Sequence, residues 1–244
     1  MKFCKIEQTY KQEVNFMNNK IIVIEGTDCS GKQTQTEMLM ERLNKEGVVL
    51  NDFHFPCYDS PTGFIIGRDY LGKPQMGEGV FPEGASNVDP KVSSLYYIAD
   101  RLYNLPKIKN LLVQGHVIID RYSFSNFGHQ AGKYKNKKDR IKMFRWLEQA
   151  EFKLCKLPKP DIKILLYMPY EYAVNLRKGR TELPDQNEIN PEHLKNAERT
   201  YLELAKIYRF KIINCVENNQ VKTKQQISDE VYEYVCKKLR HKSK

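Results

Sequence analysis

Gly26, Gly31 and Lys32 stand at the spacing G-x-x-x-x-G-K, directly after the apolar run 21–24 and ahead of a helix-like stretch. Strand, glycine turn and helix in that order surround phosphate oxygens with backbone N–H groups and a positive helix end, and a lysine adds a cation. Thr27, Asp28, Cys29 and Ser30 fill the loop, and Thr34 follows with a hydroxyl that can bond a phosphate. The place after the lysine, where such loops carry the Ser or Thr that ligates magnesium, holds Gln33. A carboxamide oxygen can contact Mg²⁺, but it is bulkier and differently aimed, so the ion can lean on water and substrate phosphates instead. An accidental glycine turn is the plainer alternative.

Three further segments carry chemistry. Asp120 and Arg121 end the apolar run 117–120 and should face the same crevice, beyond the carboxyl ends of the strands. Asp120 can hold a hydrated metal and Arg121 can bind phosphate in fork geometry, or the two form a structural ion pair. In SSLYYIADRLYNL, helical spacing puts Ile98, Leu102 and Leu105 on a core-facing stripe. Tyr97 and Arg101, four apart, share an adjacent face, where one can stack on a base and the other bond its edge, or both are a surface pair. Arg177 and Arg180 precede a Pro-, Asp- and Asn-rich stretch that can close over a nucleotide or is simply solvated charge. The loop itself offers Cys29 and Ser30 rather than an arginine, which favours this segment as the source of a transition-state cation.

The elements that must position these groups alternate. Strand-like runs cover 21–25, 48–55, 117–120, 162–168 and 211–215, and helix-like patterns cover 32–46, 62–71, 90–113, 138–156, 170–178, 191–208 and 224–239. Nearly continuous apolar strands suit burial on both faces, so the spacing predicts an α/β fold with a mostly parallel sheet between helices. The Gly- and Pro-rich stretch 72–90 reads as a loop or mobile edge. Residues 1–19 read as an extension polar enough to be disordered, and 20–244 as one domain with a lid over about 175–193.

With 244 residues, 41% hydrophobic and 29% charged, the chain has an ordinary globular composition. No apolar run reaches the length of a membrane span, and the first residues lack a secretory apolar centre, so the expected location is cytoplasmic with no membrane partner. Six scattered cysteines and five histidines show no metal spacing and suit a reducing compartment. The net charge of +10 fits a nucleic-acid or a nucleotide ligand; the basic run 132–142 has no interleaved aromatics beyond Tyr134 and reads as a solvated face, so no nucleic-acid partner is expected.

Together, EGTDCSGKQTQ, FPCYDSPTG, YYIADR, DRYSFSN and YLELA resemble the thymidylate kinase family of nucleoside monophosphate kinases, from about residue 20 to the C-terminus. The resemblance implies a P-loop NTPase fold with a five-stranded parallel sheet flanked by helices, a mobile lid, a homodimer, and transfer of the γ-phosphoryl group of ATP to dTMP with Mg²⁺. It implies Lys32, Asp28, Arg121 and Arg180 as catalytic groups. Gly26, Thr27, Asp28, Cys29, Ser30, Gly31, Lys32, Gln33, Thr34 and Arg177 would hold ATP, with Asp120 and Gln33 at the metal. Asp28, Phe55, Tyr58 and Arg121 match the acceptor side, Tyr97 the aromatic that stacks on thymine, Arg101 the base-edge arginine, and Asn126 and His129 the groups that read base and sugar. His129 replaces a more usual tyrosine. The expectation is a positively lined cleft holding two nucleotides end to end. Rival readings are a kinase of the same fold for another (deoxy)nucleotide or deoxynucleoside, a non-catalytic nucleotide binder, and a nucleic-acid binder.

Overall fold

The computed structural model describes residues 19–27, 29–179 and 183–240. Strand β1 (Ile21–Gly26) leads through the glycine loop to helix α1 (Lys32–Lys45), then β2 (Leu50–His54). Helix α2 (Pro61–Ile65) runs on as a π-helical stretch, Ile66–Tyr70, before the long α3 (Pro90–Gln114). Next come β3 (His116–Asp120), α4 (Ser123–Gly132) and α5 (Lys137–Glu148), which continues as a second π-helical stretch, Gln149–Leu154. The chain ends with β4 (Ile162–Tyr167), α6 (Tyr170–Arg177), α7 (Pro191–Ile207), β5 (Lys211–Asn214), a small hairpin of β6 (Val216–Glu217) and β7 (Gln220–Val221), and α8 (Lys224–Arg240).

The five main strands form one all-parallel sheet in the order β2-β3-β1-β4-β5. Every residue of β1 is buried, because alternate side chains enter two different cores. Ile21 and Val23 pack with Val117, Ile119 and Leu165 against α3, α4, α5 and α7; Ile22 and Ile24 pack with Ile118, Ile164 and Leu166 against α1 and α8. Burial contributes roughly 1.5–3 kcal/mol for each large apolar side chain, so a polar substitution at Val23 or Ile24 would break a layer. The register sets Ile24 beside Asp120, which brings the carboxyl ends of β1 and β3 level at the edge where ligands of such sheets bind.

The expected strands and the α/β class hold; several local expectations do not. The helices expected over 62–71 and 138–156 each turn π-helical in their second part. Leu102 is 44% exposed instead of facing the core, and Arg101 takes the inward place at 1% exposure. The reason is non-local: Glu151, from the second π-helical stretch, meets the Arg101 guanidinium. The 72–90 segment is a loop held at its far side. Tyr70 Oη donates to the Ala85 carbonyl at 2.9 Å, and Lys133 Nζ donates to the carbonyls of Ala85 and Val88 at 3.1 and 2.7 Å. Burial lowers the Lys133 ammonium to about 8.

Candidate active site

The loop after β1 needs its glycines for two different reasons. A Cβ on Gly26 would lie 2.6 Å from both the Leu166 carbonyl oxygen and Ser30 Oγ, so close approach to β4 excludes a side chain there. Gly31, the N-cap of α1, has open space around it but a φ of 80°, which favours glycine on conformation alone. Cys29 also adopts the left-handed region, at φ 59°. Lys32 is buried and reaches back across the loop, its Nζ donating to the Thr27 carbonyl at 2.9 Å. Thr27 Oγ1 in turn donates to the Met168 carbonyl at the end of β4. Ser30 is buried within the loop, while Gln33 and half-buried Thr34 open α1, with Gln33 Nε2 donating to Glu37. Asp28 lies outside the described residues.

Beside this loop, beyond the carboxyl ends of β1, β2 and β3, is a cleft of about 430 Å³. It gathers Gln33 from α1, Phe55 and Tyr58 after β2, Tyr97 and Arg101 on α3, Asp120 and Arg121 after β3, and Asn126 and His129 on α4. Thr27 and Arg177 instead share a small adjoining pocket with Tyr170 and Glu198. Arg177 Nη1 donates to the Glu188 carbonyl. Arg180 lies outside the described residues.

At one end of the cleft Tyr97 meets Tyr70 edge-on, ring centroids 5.7 Å apart. Burial raises the Tyr97 phenol well above its ordinary value, so the ring is neutral at physiological pH. Arg101 lies close by, with Nε and Nη2 donating to Glu151 at 2.9 and 2.8 Å, and Asn126 Nδ2 donates to Glu151 Oε1 at 3.0 Å. At the other end Arg121 follows β3 with φ 58°, its backbone N–H donating to the Ile24 carbonyl. Its Nη1 lies against His129, whose ring stacks on His193. Asp120 has a buried Oδ1 that no described residue hydrogen-bonds.

The expected positively lined cleft carries charges of both signs. Lys73, Arg101 and Arg121 share the cleft with Glu37, Asp52, Asp120, Asp185 and Glu188. Two of those carboxylates have local duties: Asp185 accepts from the backbone N–H groups of Asn187 and Glu188, and Glu37 accepts from Gln33. Lys32 and Arg177 carry further positive charge outside this lining.

Sequence reasoning missed Glu25, Ser125 and Glu151. Glu25, fully buried at the end of β1, accepts from Tyr122 N–H at 2.9 Å and Ser125 Oγ at 2.7 Å. Burial pushes its carboxyl up to about 7, against the opposing pull of those two bonds and of Arg121. Its signal was present, an acidic residue closing a wholly apolar strand. Glu151 has no such local signal.

The thymidylate kinase family model matches residues 24–227. A probable thymidylate kinase of Methanocaldococcus jannaschii is 28% identical over 90% of this chain and 97% of its own length. One from Thermococcus kodakarensis is 32% identical over 81% of this chain and 90% of its own, and the thymidylate kinase of Plasmodium falciparum is 28% identical over 76% and 77%. A solved thymidylate kinase structure from Candida albicans superposes with a TM-score of 0.70 at 23% identity, covering 93% of this chain and 96% of that one, a likeness of fold.

Proposed function

Because this chain belongs to the thymidylate kinase family, we infer that it transfers the γ-phosphoryl group of ATP to dTMP, giving dTDP and ADP. The observation that carries the reading is the meeting, in one cleft beside the glycine loop, of the Tyr97 ring, Arg101 and a second arginine, Arg121, at the end of β3. Tyr97 stacks on the thymine, which stabilises binding by roughly 1–3 kcal/mol. Arg101 and Asn126 bond its edge, Phe55 and Tyr58 flank the acceptor, and Arg121 binds its phosphate.

Phosphoryl transfer asks chiefly for alignment and for cations on the equatorial oxygens. The backbone of residues 26–34 cradles the donor phosphates, Lys32 and Arg121 supply charge from opposite sides, and Arg177 and Arg180 add it from the lid, about 175–193. Asp28 orients the acceptor. Asp120, with its unmatched buried Oδ1, fits a hydrated Mg²⁺, and Gln33 and Thr36 line the same cleft. When bound, the ion would neutralise charge on the transferred group.

Assembly and location belong to the same proposal. Val92, Leu95, Leu102 and Tyr103 form an apolar stripe along α3, each at least 43% exposed, with Phe64 and Ile65 exposed on α2. Such a face suits a homodimer. Cysteines without paired spacing suit the cytoplasm. The kinase domain runs from residue 20 onward, preceded by an extension.

A coupled ADP-release assay across nucleoside monophosphates tests the reading. Efficient turnover with dTMP is expected. Equal efficiency with dCMP or dGMP would overturn the thymidylate assignment, and no turnover with ATP plus dTMP would leave only a nucleotide binder.

A further inference from the structure

Arg101 and Asn126, which line the cleft, share a hydrogen-bond partner that lies outside it. Glu151 sits in the π-helical stretch Gln149–Leu154, is fully buried, and does not line the cleft. Its Oε2 accepts from Arg101 Nε at 2.9 Å, and its Oε1 accepts from Arg101 Nη2 at 2.8 Å and from Asn126 Nδ2 at 3.0 Å. The same Asn126 nitrogen points at the Ser94 carbonyl, 3.4 Å away. Both neighbours of that nitrogen are acceptors, so only one orientation of the amide is chemically consistent: NH₂ inward, Oδ1 outward. Arg101 is constrained likewise, since its Nε and Nη2 are taken and Nη1 has no hydrogen bond among the described residues. Both side chains line the cleft.

We propose that Glu151 is a positioning residue for acceptor selection: by holding Arg101 and Asn126 it fixes the cleft's readout as one donor beside one acceptor. A base with a carbonyl oxygen adjacent to a ring N–H, the imide edge of thymine or uracil, matches that pair. Cytosine, with an amino group beside a bare ring nitrogen, sets donor against donor and acceptor against acceptor. A site built around hydrogen bonds rejects such a mismatch strongly, because its own polar groups are then left buried and unpaired. The methyl of thymine is not sensed by this triad, so it separates dTMP from dCMP and does not separate dTMP from dUMP. The inference rests on the dTMP kinase reading and extends it.

A merely structural role, balancing the buried Arg101 charge, would lower all acceptors alike. Glu151→Gln keeps the volume but puts an NH₂ where Asn126 Nδ2 and Arg101 now find acceptors, so the Asn126 amide is driven to turn. The ratio of kcat/KM for dTMP over dCMP is expected to fall by about tenfold or more, with KM for dTMP raised and KM for ATP unchanged. Glu151→Asp keeps both acceptor oxygens and should hold the ratio within about threefold even where overall efficiency drops. Should E151Q not fold, Asn126→Ala removes the outward acceptor and is expected to lower the same ratio. An unchanged ratio in E151Q (or in N126A where it stands in), or an equal loss with every acceptor, would overturn the proposal. A native chain that phosphorylates no pyrimidine monophosphate would instead overturn the underlying kinase reading, and the inference with it.

Discussion

Arg121 Nη1 lies 3.3 Å from His129 Nε2. A guanidinium can only donate, so that ring nitrogen must accept and the proton sits on Nδ1, 3.2 Å from His193 Nε2. Arg121 is thereby tethered, through one imidazole, to helix α7. Arg121→Ala is expected to lower kcat by about 10³-fold or more with an unchanged thermal melt, since a well-placed arginine contributes that much to phosphoryl transfer. His129→Ala, which removes this one contact and keeps the guanidinium, should cost only about tenfold. Steady-state kinetics beside circular dichroism reads both; near-normal turnover in R121A would remove Arg121 from the mechanism.

Glu25 predicts a pH dependence of stability. Its carboxyl keeps its proton up to about 7 in the folded chain, against 4.5 as the ordinary value. Over that window the folded state binds more protons than the unfolded one. The stability tied to this group is therefore complete below 4.5 and is lost as pH rises through 7. Glu25→Gln, which stays neutral, should melt a few degrees above the native chain at about pH 8, the gap closing by about pH 5. A gap that widens towards acid would show the opposite sign.

Restoring a hydroxyl at the glutamine tests the metal site. Gln33→Thr is expected to lower the Mg²⁺ concentration for half-maximal rate by roughly threefold or more, because a short hydroxyl competes with water for the ion better than a carboxamide does. Titrating Mg²⁺ at saturating ATP and dTMP measures it, and chelation should abolish turnover in both proteins. An unaltered titration would mean that this position never faces the ion.

The stripe along α3 predicts an assembly. The native chain should sediment as a dimer, and Leu95→Asp with Leu102→Asp should give a monomer of similar melting temperature, as both side chains are exposed in the single chain. A double variant that remains dimeric would move the interface elsewhere.

The strands were legible because burial on both faces leaves a dense apolar signature, and the glycine loop between β1 and α1 because Gly26, Gly31 and Lys32 fix its spacing. Helix α4 was not. Its glycines look like breaks, yet a Cβ on Gly128 would sit 2.5 Å from the Tyr201 ring, so that glycine marks close approach to α7 rather than a turn. The hairpin around Asn218 and Asn219, both left-handed, had a turn signal in its paired asparagines that periodicity overlooks. Leu102 is exposed where periodicity places it in the core, and Arg101 is buried on the face it shares with Tyr97, because helical periodicity counts an arginine as polar and cannot know that a buried carboxylate, 50 residues away in sequence, will meet it. Nine expected site residues converge on one cleft, which pattern alone could suggest only through strand order.

Tyr70, behind Tyr97, and Glu151, behind Arg101, both ride on π-helical turns. Such a turn carries one residue more than an α-helix would use over the same rise. The stretch 149–154 closes its helix, with no helical part beyond Leu154, so deleting a residue ahead of Glu151 would shift that carboxylate by about one position, roughly 100° about the axis, relative to α5. Glu151 could then no longer reach both Arg101 and Asn126, although every residue lining the cleft would be intact. Pocket chemistry here is thus sensitive to the reading length of two helices, and insertions or deletions in them are a route to new acceptors that substitution scans would never sample.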